Sequence, residues 1–172
     1  MKKCLNSKNK AAETAAKYAV MTSLALVLSF VEALIPINPG IPGAKLGLAN
    51  LVTVFALYIM GPMPAAAVSI LRILLSGLLF GNVFAVFYSL AGFLTSFLTM
   101  LLLKKSGMFG IIPVSAAAGA MHNLGQIILA YALAGPAVFA YFPYLLLCGT
   151  AAGIIIGILG GIIVQRLNGV IK

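Results

Sequence analysis

The chain has 172 residues, of which 63% are hydrophobic and only 8% charged, and its mean hydropathy is +1.17. So few charges cannot cover a soluble domain of this size, so the sequence reads as one integral membrane bundle with no room for a separate soluble domain. Lys and Arg outnumber Asp and Glu by 11 to 2. Both acids are glutamates, Glu13 and Glu32, and the absence of aspartate removes Asp-rich diphosphate sites and Asp-based Walker B motifs. The basic excess forms no patch with interleaved aromatics, so nucleic acid is not an expected partner; in a membrane chain it sets orientation and meets anionic lipid.

In chain order, residues 1–10 read as a Lys-rich basic tail and residues 11–172 as a single membrane domain. The first span is Tyr18–Ile35, ending at Glu32 and Pro36. No small-x-small cleavage site follows Phe30, so this basic-then-apolar start is expected to stay as an uncleaved helix. Pro36–Asn50 is the long interruption of the first hundred residues, with three prolines, three glycines and Lys45. Proline fixes φ and removes a donor, so the first half of this stretch cannot be a regular helix. Span 2 is Leu46–Met60, lengthened by helical turns at its start. Gly61-Pro62-Met63-Pro64 reads as a tight turn. Span 3 is Ala65–Phe80, and Gly81-Asn82 is a second turn. Span 4 is Val83–Leu103, stopped by Lys104-Lys105-Ser106-Gly107. Span 5 is Pro113–Ala134, broken by Gly135-Pro136, after which Ala137–Pro143 forms a short loop or helical turn. Span 6 is Tyr144–Val164, ending at Arg166.

The expected fold is therefore an all-α bundle of six transmembrane helices of roughly 20 residues each, the length that crosses a hydrocarbon core. Continuous apolar runs, without alternation, exclude a β-barrel. With the N-terminus inside, nine of the cations (Lys2, Lys3, Lys8, Lys10, Lys17, Lys104, Lys105, Arg166 and Lys172) are cytoplasmic and only Lys45 is outside. The reading is thus N-in, C-in, with the Pro36–Asn50 stretch on the outer face.

Few residues carry chemistry. Arg72 lies mid-span, where a cation costs at least about 2.5–3.5 kcal/mol and must face the bundle interior or water. Ser69 and Ser76 share its helical face. Arg72 is either an anion-binding residue or a structural one paired with Glu32 or helix-end carbonyls. His122, Asn123 and Gln126 cluster in span 5, as ligand contacts or as interhelical hydrogen-bond glue. Glu32, Lys45, Asn50 and Asn82 place further polar groups in the outer half of the bundle. Cys4 and Cys148 have no metal-ligand spacing, and neither a metal nor another cofactor is expected. No nucleophilic triad, carboxylate pair or phosphate loop is present, so the chain does not read as an enzyme. Two small-residue ladders, Ala11-Ala15-Ala19-Ser23 and Gly149-Gly153-Gly157-Gly161, serve close helix packing within the chain or docking of a second membrane subunit.

The stretch Pro39-Gly40-Ile41-Pro42-Gly43-Ala44-Lys45-Leu46-Gly47-Leu48-Ala49-Asn50 resembles the signature of the Gx transporter family, also known as heptaprenyl diphosphate synthase component I. Leu71-Arg72-Ile73-Leu74-Leu75, Leu79-Phe80-Gly81-Asn82, Ser89-Leu90-Ala91-Gly92 and His122-Asn123-Leu124-Gly125-Gln126 resemble its other blocks, and the likeness covers roughly residues 20–167. That family is similar to the substrate-binding S components of energy-coupling factor (ECF) transporters. The resemblance implies a multi-pass protein of the bacterial plasma membrane with a pocket open to the outer face and the first outer loop as its gate. It implies a small-molecule ligand held by Glu32, Lys45, Asn50, Arg72, Asn82, His122, Asn123 and Gln126. It also implies docking of an ECF T subunit, with its ATPases, on Ala15, Ala19 and Ser23. The basic side chains suggest an anionic or acceptor-rich ligand. The competing expectation is a non-catalytic membrane accessory of heptaprenyl diphosphate or quinone synthesis. A third, a structural or lipid-handling bundle, predicts no polar pocket.

Overall fold

The computed structural model describes residues 2–35 and 47–170, with side chains at positions 10, 12–35 and 47–167. It is built from six α-helices: α1 (Lys2–Leu34), α2 (Leu48–Ile59), α3 (Pro62–Leu79), α4 (Val83–Ser106), α5 (Ile111–Ala134) and α6 (Phe142–Val170). A short 3₁₀ helix, Pro136–Tyr141, leads into α6. Helices satisfy their own backbone hydrogen bonds, which apolar sequence in lipid requires.

Among the described residues, five helices are long and apolar enough to cross a bilayer, where the sequence suggests six. The exception is α2. It has 12 residues, about 18 Å at 1.5 Å per residue, against a hydrocarbon core of about 30 Å. The expected extra turns are missing at its described start, because Gly47 stands in the left-handed region (φ 72°, ψ 28°) and the helix begins only after it. At the other end of the chain's first helix the difference runs the opposite way. Helix α1 begins at Lys2, so the basic segment is helical and continuous with the first span. The expected turn at Gly61–Pro64 also shrinks. Gly61 alone turns the chain (φ 96°), and Pro62 opens α3, a position where the missing N–H and fixed φ of proline suit a helix start.

The helices close into a ring. Helix α1 packs on α3, α3 on α4, α4 on α5, α5 on α6, α6 on α2 and α2 back on α1, with α2 also touching α3. The tightest seam is between α5 and α6. A methyl group added at Gly149 would stand 2.5 Å from the carbonyl oxygen of Gly119, and one at Gly153 would run into the carbonyl oxygen of Ser115. One at Gly157 would stand 2.8 Å from the α-carbon of Ile112. The glycine ladder of α6 therefore packs inside the chain over three of its four rungs. Gly161 faces open space.

On the other side, α2 is held by a buried hydrogen bond between Thr53 and Ser69 of α3 (2.8 Å). Its C-terminal turn is held by Lys104, whose Nζ donates to the Leu57 carbonyl (2.5 Å) and lies 4.6 Å from the Tyr58 ring centre. Leu57 O is one of the carbonyls a helix end leaves without an internal partner. A core of Val54, Ala56, Leu57, Ala65, Met100, Val114, Ala118 and Ile156 joins α2 to α3, α4, α5 and α6 at this end.

The glycine seam generates a paired test. Gly153→Ala is expected to cost about 1–3 kcal/mol, because neither backbone can withdraw. Gly161→Ala is expected to be neutral or slightly stabilising, alanine being the better helix former by up to about 1 kcal/mol. Equilibrium unfolding of the two variants in the same detergent checks this, and equal effects would show that the seam is not tight.

Candidate functional site

The ring encloses a cavity of about 170 Å³. Every helix contributes to its wall: Ser29 and Glu32 from α1, Asn50 and Val54 from α2, Arg72 and Ser76 from α3, Ser89 and Ser96 from α4, His122, Asn123 and Gln126 from α5, and Gly149 and Gly153 from α6. Polar side chains come from α1 to α5, while α6 contributes glycine, alanine and isoleucine; the expectation of a bundle without a polar pocket does not describe this wall.

Of the eight residues singled out in the sequence, six meet here: Glu32, Asn50, Arg72, His122, Asn123 and Gln126. Lys45 lies outside the described residues. Asn82 does not line the cavity. It is the N-cap of α4, and its Oδ1 accepts the backbone N–H of Ala85 at 2.8 Å. An amide at a helix start is used in this way because the first turn has N–H groups without partners. Ser69, expected beside Arg72, instead bonds Thr53 between α2 and α3, while Ser76 does line the cavity.

The polar groups of the wall divide by what they already bind. Glu32 accepts the backbone N–H of Gly47, where the chain enters α2, and lines the cavity together with Arg72. Asn123, buried, donates through Nδ2 to the Leu145 carbonyl and so ties α5 to α6. Arg72 is different. Among the described residues its guanidinium makes no hydrogen bond and no close ion pair, and its Nε is fully shielded. A buried polar group without a partner costs a few kcal/mol and a charged one more. Gln126, 4% exposed, also lines the cavity. Both side chains face space where a ligand or water can meet them.

Sequence reasoning did not find Ser29, Ser89, Ser96 and Ser115, which also line the cavity. The signal was present on α4, where Ser89 and Ser96 are seven residues apart and so share a helical face. It was obscured because single serines in apolar helices commonly bond their own backbone, as Ser96 does to the Phe93 carbonyl (3.1 Å).

Outside the ring, Ala15, Ala19 and Ser23 line a shallow apolar groove with Leu71 and Leu75 of α3. These small residues are exposed, so they do not pack within the chain as the glycines of α6 do. Among the described residues no group of three His, Cys, Asp or Glu side chains is placed to hold a metal ion.

The model of heptaprenyl diphosphate synthase component I matches residues 21–163, which takes in α2 to α5, most of α6, the second part of α1 and every described cavity residue named above. The chain belongs to the heptaprenyl diphosphate synthase component I family. No curated protein and no solved structure matches it. Within this component I chain, the matched region begins inside α1 at Met21, so Ala15 and Ala19 of the outer groove precede it while Ser23 falls within it.

The role of Asn82 is open to direct test. Asn82→Ala is expected to cost about 1 kcal/mol by loss of the cap and to leave any molecule bound in the cavity in place. Thermal unfolding and native mass spectrometry of the same sample separate the two effects.

Proposed function

We propose that this chain is a membrane-embedded binding subunit that takes a compact, anion-bearing small molecule into the cavity at the centre of its helix ring. The observation that carries this reading is Arg72, a cation inside an apolar bundle whose donors no described protein group meets. A fixed planar fork of N–H donors is suited to a carboxylate or phosphate group. Gln126, His122 and the cavity serines then face the uncharged part of the ligand. The volume of about 170 Å³ lies below the roughly 300–1,000 Å³ of pockets for drug-sized ligands. It favours a small polar molecule over a heptaprenyl chain.

On this reading the six helices form one bundle with both termini on the cytoplasmic side of a bacterial plasma membrane. The expected gate, Pro36–Asn50 with Lys45, lies largely outside the described residues. The exposed Ala15-Ala19-Ser23 groove is the docking face for a membrane partner of the ECF T type, which in turn engages ATPases. The chain itself does no chemistry.

The family match favours a second reading. A protein described as component I of a synthase works beside another component, and this chain then serves as the membrane accessory of heptaprenyl diphosphate synthesis. The absence of aspartate makes it unsuited to hold a metal–diphosphate centre of its own. The two readings differ in the partner: ATPases and a membrane subunit in the first, a soluble Asp-rich synthase in the second.

Native mass spectrometry of gently solubilised protein tests both, since it shows retained small molecules and partner chains together. Arg72→Leu is the decisive variant. It is expected to abolish retention of the anionic molecule and yet to stabilise the ligand-free protein, by about 1–2 kcal/mol, because an unmet charge leaves the interior. A ligand-free Arg72→Leu protein that is less stable than the wild type would make Arg72 a structural residue and overturn the assignment.

A further inference from the structure

The Ser89-Leu90-Ala91-Gly92 block has so far contributed only Ser89 to the cavity. Gly92 is buried on α4, directly behind the His122 ring. A β-carbon built on Gly92 would stand 2.7 Å from both Cε1 and Nε2 of His122 and 2.9 Å from Cδ2. Three ring atoms at nearly equal distance mean that the imidazole lies face-on over the glycine. Contacts between carbon atoms are comfortable only at about 3.5–4.0 Å, so any side chain at position 92 must move the ring by roughly an ångström.

The helices cannot separate to make that room. Thr95 Oγ1, one turn along α4, donates to the Met121 carbonyl at 2.7 Å, immediately beside His122. On the other side, a β-carbon on Gly125 would stand 2.5 Å from the Ala91 carbonyl oxygen and 2.9 Å from Thr95 Cγ2. Both flanks of His122 are therefore locked to α4, and the ring is the part that can give. His122 lines the cavity and Gly92 does not, so the ring stands between the glycine and the ligand space. Displacement carries it into that space.

We propose that Gly92 is a positioning residue that sets how far the His122 imidazole projects into the cavity, and through it which ligands fit. This rests on the reading of the cavity as a ligand site, but its geometric half is testable without any ligand. His122 is the single histidine of the chain, so protein labelled with ¹⁵N-histidine reports on that ring alone.

The experiment compares wild type, Gly92→Ala, His122→Ala and the double variant. Gly92→Ala is expected to shift the ring resonances and to lower the melting temperature. In the His122→Ala background the same substitution is expected to lose less than half as much, because the space it needs has been vacated. If Gly92→Ala alone does not fold, recovery of folding in the double variant carries the same meaning. Equal losses in both backgrounds, unmoved ring resonances in a folded Gly92→Ala, or a double variant that also fails to fold would overturn the proposal and leave Gly92 as a helix-packing residue. For the ligand half, the molecule retained in native mass spectrometry is expected to fall at least tenfold in folded Gly92→Ala. Retention unchanged there, with Arg72→Leu abolishing it, would overturn the specificity role while leaving the binding site standing. Retention that Arg72→Leu does not alter would overturn the binding site itself, whatever the ring resonances show.

Discussion

The architecture depends on one steric constraint: α4, α5 and α6 approach so closely that backbone meets backbone. In lipid there is little hydrophobic gain from bringing apolar helices together, so contact quality between small residues decides how they pack. Gly119 lies against Gly149, Gly153 against Ser115, and Gly125 against Ala91. These contacts leave no slack in half of the ring. The other half, α1, α2 and α3, is joined by larger side chains and by single polar bonds such as Thr53–Ser69. A rigid half and a looser half leave a gap between them, and the gap is the cavity.

That arrangement also governs which polar groups are available. On the rigid side polar atoms are largely taken up in construction. Asn123 bridges to Leu145, and Thr95 reaches the Met121 carbonyl. Arg72, on the looser side, keeps its buried Nε without a hydrogen-bond partner among the described residues. In a low-dielectric interior such groups act strongly on whatever enters, and for the same reason are costly when nothing does. A protein that kept Arg72 only for structure would be expected to give it a hydrogen-bonded partner.

Much of this was legible in the sequence, and the failures have physical causes. Continuous apolar runs located α3, α4, α5 and α6 within a few residues, since lipid leaves helices no alternative. Arg72, His122 and Gln126 stood out because polar residues are rare in such runs. The second helix was misjudged because hydropathy does not register backbone conformation: Leu46 is apolar, but Gly47 takes a left-handed turn and the helix starts beyond it. Asn82 gains a structural role that the sequence did not suggest, because an amide beside a turn looks the same whether it caps a helix or binds a ligand. Only the Ala85 N–H to Oδ1 distance of 2.8 Å separates the two. The role of Gly92 was not legible, because a glycine's neighbour across a helix interface is a tertiary fact.

The same reasoning explains why an acid persists in the first span of a chain that has only two. Glu32 reaches from α1 to the N–H of Gly47, at the positive end of α2, where a carboxylate is favoured by the helix dipole. Gly47 has no side chain with which to cap that end itself, so the cap comes from another helix. The same carboxylate lines the cavity together with Arg72. Glu32 therefore fixes the start of the short helix, and that contact stands beside its place on the cavity wall. Together they make the beginning of α2 and the charge of the cavity one coupled feature: a change that loosens Gly47 frees a carboxylate to compete for Arg72. One side chain thus meets both the start of α2 and the cavity wall that carries Arg72.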